Sequence, residues 1–418
     1  MLPRVTGRTA AACLLASALL GGDAAAQLAA ERVGEVAQLP DEMGTHWVWA
    51  SDSVLRRSAL FDADTGRMLG MVDGGEGVSP LHPHVSRARG EVYVVETVYS
   101  RGHRGERTDL VTIYDAATLA VTGEVVIPPR RADNGNGVAL AALLDGDRFL
   151  VVLNQDPGTS VSVVDLEARV FVAELATPGC ALVLPAAERR FGMLCGDGTA
   201  QSITLDESGR EAGRARSAPF FDATSDPLTE KGVRAGPPGE PGGALWHFAS
   251  FEGFLHTLDF GGEAPVAAER WSLFSDAERA EGWRIGGLQH LAFHAPSGRL
   301  YSVVHEGEAG SHKDAGPEVW VYDVAARARV QRIELANLTA AFLRPRIGIE
   351  AGSLPDRVLS ALLPNPGADT LAVTRDAAPL LLAGERESGA VGVYDATTGE
   401  HLRDLEETGI GGGLLVVP

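Results

Sequence analysis

The chain has 418 residues, of which 45% are hydrophobic, 22% charged and 6% aromatic, a composition that excludes disordered and fibrous classes and allows a large core. A formal net charge of −20 argues against a nucleic-acid partner, because phosphate recognition needs a clustered basic face. The 50 glycines are spread along the chain and predict many turns and short strands, while three cysteines without C-x-x-C or C-x-x-C-H spacing exclude zinc ribbons, thioredoxin-like sites and covalent c-type haem.

Residues 1–26 carry the three-part pattern of an export signal: Arg4 and Arg8, the apolar run Ala10–Leu20, and Ala24–Ala26 as a small-residue cleavage site. The expectation is a cleaved leader and an exported mature chain, residues 27–418, forming one domain; a retained N-terminal anchor is the alternative. No second apolar run approaches the roughly 20 residues of a membrane span.

The first predicted strand, His46–Ala50, alternates so that Trp47 and Trp49 share one face and read as core. An apolar pair followed by Asp and a turn then comes at Leu60-Phe61-Asp62 and returns at Asp115, Asp165, Asp206, Asp259, Asp323 and Asp395, giving seven copies spaced 53, 50, 41, 53, 64 and 72 residues apart. In each copy the strand is half buried, and the Asp side chain is suited to cap the turn by accepting from backbone N–H groups. Between the first two copies lie His82 and His84 around Pro83, and the polar loop Tyr99–Asp109. There Arg101, Arg104 and Arg107 face Glu106 and Asp109, and a charge network joining neighbouring loops is the expectation.

Two apolar runs around a polar turn near Ala187 and Glu188 place Cys180 and Cys195 equidistant from the turn. On an antiparallel hairpin they face each other, so a structural disulfide is expected; the flanking apolar residues do not supply the cationic surroundings of a redox-active pair. Ser225–Gly243, rich in Pro and Gly, reads as a mobile loop leaving one face, with a partner-binding arm as the alternative. Leu288–Phe293 and Leu300–Val304 around Pro296-Ser-Gly298 read as a hairpin, with His290, His294 and His305 on or beside it. The long last interval fits an insertion at about Ala340–Pro366.

Seven such units, each with about four strands, predict an all-β, seven-bladed β-propeller of four-stranded antiparallel blades. Two β-sandwiches are the competing topology, disfavoured by the sustained repeat. Only one good strand precedes Asp62, so the first blade lacks its innermost strand, and Gly413–Pro418 is predicted to supply it and close the ring. No His spacing matches a metal pattern and no G-x-S-x-G elbow is present, so neither a metal site nor an α/β-hydrolase serine is indicated.

His46–Trp49, Thr65–Gly75, Glu96–Asp109 and Ser311–Asp314 resemble segments of the heavy subunit of quinoprotein amine dehydrogenases, the methylamine and aromatic-amine enzymes. The similarity runs from about residue 40 to the C-terminus and includes the Cys180/Cys195 pair. The resemblance implies a periplasmic assembly of two heavy and two light subunits. In it the light subunit carries tryptophan tryptophylquinone, oxidises primary amines to aldehyde and ammonia, and passes electrons to a blue-copper protein.

The heavy chain then has no catalytic residue or cofactor of its own, shapes the substrate channel and holds the partner. In that family a residue just after the Gly-Gly turn, commonly Phe, lines the substrate entrance. Here Gly74-Gly75 is followed by Glu76, which makes Gly75 and Glu76 the channel candidates; a carboxylate there attracts an ammonium substrate and suits polar amines better than aryl rings. Fold alone does not determine function, so a stand-alone ligand- or protein-binding propeller is the alternative, with a metal-dependent lactonase-type propeller as a third class.

Overall fold

The computed structural model describes residues 38–40, 42–75, 82–133, 137–237, 240, 242–405, 408–409 and 412–418. Leu39–Pro418 forms one compact unit; of the preceding unit, Met1–Gln38, only Gln38 is among the described residues, so the expected leader lies outside them.

Seven antiparallel sheets of at least four strands each make a seven-bladed propeller, as the repeat predicts. Counting strands A to D outward from the channel, blade 1 is built from Gly412–Val416, Trp47–Asp52, Arg57–Asp62 and Met68–Asp73. Its innermost strand therefore comes from the far end of the chain, with Trp49 opposite Val416 and Ala50 opposite Leu415. Gln289, from blade 6, clamps that strand: its side chain donates to the carbonyl of Leu415 at 2.8 Å and accepts from the Leu415 N–H at 2.9 Å.

Among the described residues, seven apolar clusters account for the core, and each joins two neighbouring blades. Strand alternation explains this. Trp47 and Trp49 pack with Val92, Val94 and Tyr114 of blade 2, while Val48 and Ala50 on the opposite face pack with Leu382 and Val393 of blade 7. A central strand is thus buried on both faces, and the cluster between blades 7 and 1 completes the ring.

The seven repeated aspartates close the turn from strand C to strand D in every blade. Asp165 accepts from the N–H groups of Glu167 and Ala168 at 3.0 and 2.9 Å, and Asp395 from those of Thr397 and Thr398 at 2.8 and 2.7 Å. Because successive strands alternate in direction, the A–B and C–D turns share one face of the ring. The B–C loops and the D-to-A crossovers share the other.

Two expectations need adjustment. The Cys180–Cys195 disulfide forms between directly paired residues, but the hairpin turn is Glu188-Arg189 rather than Ala187-Glu188, because two bulges add residues to the first strand. Ser225–Gly243 does not simply leave the ring: Val233–Arg234 is the inner strand of blade 5, and Thr229 and Lys231 just before it are buried. The predicted insertion after blade 6 folds as two short helices, Leu338–Leu343 and Leu354–Leu362.

Candidate functional site

The crossover face gathers most of the candidate residues. Gly74-Gly75 ends blade 1 and leads to blade 2, whose strands B and C, Glu91–Tyr99 and Arg107–Asp115, form a long hairpin rising on the same face. Gly75 N–H donates to Glu96 Oε2 at 2.6 Å, and Thr112 Oγ1 donates to Glu96 Oε1. Gly75 has φ of +30°, and a Cβ there would stand 2.3 Å from the carbonyl oxygen of Thr97, so only glycine lets the two backbones approach this closely. Burial pushes the Glu96 carboxyl above its ordinary range, partly offset by the donors Thr112 and Gly75. Glu76 lies outside the described residues.

A second constellation lies beside it. Asp109 is fully buried and accepts from Thr97 Oγ1 at 2.8 Å, from the Arg107 guanidinium through two bonds of 2.9 Å, and from the Arg131 N–H at 2.9 Å. Arg131, on the crossover from blade 2 to blade 3, returns its Nε to Thr97 Oγ1 at 2.7 Å. The expected charge network therefore exists, with fewer members. Arg101, Arg104 and Glu106 stay exposed at the hairpin tip, beyond the last strand pair of Tyr99 with Arg107.

Sequence reasoning assigned no role to Glu96 or Arg131. The signal available was an acidic residue inside the apolar run Val92–Val98, which in a central strand demands partners. Ser311–Asp314 lies in the B–C loop of blade 6, where Ser311 Oγ is 2.8 Å from His305 Nε2 and His312 stacks on Phe251 at 3.5 Å between ring centres. His82 and His84 touch ring to ring, and burial lowers the pKa of His82 to about 4. Among the described residues no three His, Cys, Asp or Glu side chains converge as metal ligands.

The sequence profile of the methylamine dehydrogenase heavy chain family matches residues 50–341, which span strand B of blade 1 through the first inserted helix. The chain belongs to the methylamine dehydrogenase heavy chain family. It is 28% identical over 365 residues to the methylamine dehydrogenase heavy chain of Paracoccus versutus, covering 86% of this chain and 75% of that protein. It is 25% identical over 417 residues to that of Methylophilus methylotrophus, covering 96% and 92%.

Among solved structures, a functionally unknown protein from Desulfotomaculum acetoxidans superposes with a TM-score of 0.55 at 12% identity, covering 89% of this chain and 98% of that one. A dihydro-heme d1 dehydrogenase, NirN, superposes with a TM-score of 0.54 at 16% identity, covering 94% and 78%. These two share the fold.

Proposed function

We propose that this methylamine dehydrogenase family chain is the heavy subunit of a periplasmic amine dehydrogenase, in a complex of two heavy and two light subunits. Its role is to shape the substrate channel and hold the light subunit. Family membership over residues 50–341 is the observation that carries this reading. The quinone belongs to the partner, where it supplies oxidation of a primary amine to aldehyde and ammonia, with electrons passing on to a blue-copper protein. What this chain contributes is position: the Glu96 carboxylate anchors Gly75, the residue before Glu76. Glu76 in the channel would draw an ammonium substrate by charge.

The test is amine-dependent reduction of a redox dye by periplasmic extract from cells with and without the gene for this chain. Activity that disappears on deletion and returns on complementation supports the reading, and unchanged activity contradicts it. In the active complex, Glu76→Phe should change amine selectivity at unchanged stability; unchanged selectivity removes Glu76 from the channel.

A further inference from the structure

The inner strands run from the crossover face to the A–B turns, so the residues at their far ends gather where the central channel opens on the opposite face. Three of those residues are arginines. Arg87 follows His84–Ser86 of blade 2, Arg234 ends Val233–Arg234 of blade 5, and Arg375 lies just beyond Thr370–Val373 of blade 7. They stand together on a chain whose net charge is −20.

The protein supplies these guanidiniums with little to bind. Arg87 and Arg375 each donate one hydrogen bond of 3.2 Å from Nη2, to the carbonyls of Pro418 and Val417, which follow the inner strand of blade 1. Arg234 reaches in from the other side of the ring, and its Nη1 is buried without an acceptor. Asp376, next to Arg375, is turned to His46 at 3.2 Å. Burial and the Arg375 charge lower the pKa of Arg234 to about 10, and burial and the Arg87 charge lower that of Arg375. Only like charges bear on the two, so their desolvation and mutual repulsion go uncompensated until an anion arrives. Solvent reaches the place: Arg87 and Arg375 are exposed, and Arg234 is half-buried.

The number and directions of the cations select the anion. A carboxylate offers two oxygens in one plane and a single charge, which one guanidinium fork satisfies. Guanidiniums converging from three blades suit a tetrahedral oxyanion, whose oxygens face several directions and whose second charge offsets a second cation.

We infer that this end of the channel binds a small tetrahedral dianion of the phosphate class, held between Arg234 and Arg375 with Arg87 at the rim. The inference stands apart from the amine dehydrogenase reading and depends only on the propeller.

The experiment is thermal unfolding of the purified native protein, with any co-purifying chain retained, titrated with sodium phosphate against sodium acetate and sodium chloride at equal ionic strength and pH 7.5. The expected result is a saturable rise in Tm specific to phosphate, with the half-saturating concentration raised at least tenfold by Arg234→Met. That variant gives up no hydrogen bond to the protein, so without phosphate it should melt no lower than wild type. No phosphate-specific rise, or a rise that Arg234→Met leaves unchanged, overturns the proposal, and an equal response to acetate or chloride overturns the tetrahedral class. Glycerol phosphate saturating the same response assigns the ligand to organic monoesters, and a response to inorganic phosphate alone assigns it to free phosphate; both support the site. Should Arg234→Met fail to fold, phosphorus NMR of inorganic phosphate with the wild-type and Arg375→Gln proteins decides. Exchange broadening weakened by the variant supports the site, and absent or unaltered broadening overturns it.

Discussion

The N–H of Gly75 points into the carboxylate of Glu96, 2.6 Å away, so the last residue of blade 1 described before Glu76 is tied to the buried middle of the next blade. Gly75→Ala should lose about 1–3 kcal/mol, since a side chain must adopt an unfavourable φ and displace the Thr97 carbonyl. Glu96→Ala leaves the Gly75 N–H without its acceptor and should cost about 1–3 kcal/mol. Urea unfolding of both variants measures this, and wild-type stability in either would show that the contact does not hold the turn.

Ring closure rests on a strand held at two edges. The side chain of Gln289 makes two backbone hydrogen bonds to Leu415, and Leu415 itself packs between blades 7 and 1. Gln289→Ala should cost about 1–3 kcal/mol by leaving both backbone groups unpaired, and Leu415→Ala about 2–5 kcal/mol through lost packing. Hydrogen exchange should show the loss of protection first at residues 412–416 and at Trp47–Asp52, their partner strand.

Cys180 and Cys195 are directly opposite on a hairpin, 15 residues apart in sequence. A closed loop of this length contributes about 3 kcal/mol in the chain-entropy picture. The double Ser variant should therefore unfold at lower urea concentration than wild type while retaining the propeller's circular dichroism.

Asp369 is buried where blade 7 begins, and burial raises its pKa to about 7 against the partial opposition of Arg386. Its folded pKa lies above the ordinary carboxylate value, so its contribution to stability is complete below about pH 4 and declines as pH rises towards 7. Asp369→Asn should remove that decline, making the variant more stable than wild type at pH 8 and changing the comparison least near pH 4. Melting curves across this range give the answer, and parallel curves would contradict the assignment.

Architecture was legible because it rests on local signals: period-2 burial places Trp47 and Trp49 on one face, and Asx turns mark strand C seven times over. The missing inner strand of blade 1 followed from counting strands before Asp62. Bulges escaped the reading because an inserted residue such as Leu182, at φ of +72°, leaves no compositional trace in an apolar run, and the turn moved by one position. The site was legible only in part. Arg107 and Asp109 stood together in the sequence, but Arg131 reaches them from the crossover to the next blade. Convergence of that kind depends on ring geometry rather than on spacing along the chain.

The central claim, that this chain works as the heavy half of a quinone enzyme, is tested most directly by gentle purification from periplasm followed by native mass measurement and a visible spectrum. The account predicts a two-plus-two complex with a small internally cross-linked chain and a quinone absorption band that bleaches on adding amine. A colourless protein that runs without a small partner, even from amine-grown cells, would contradict it.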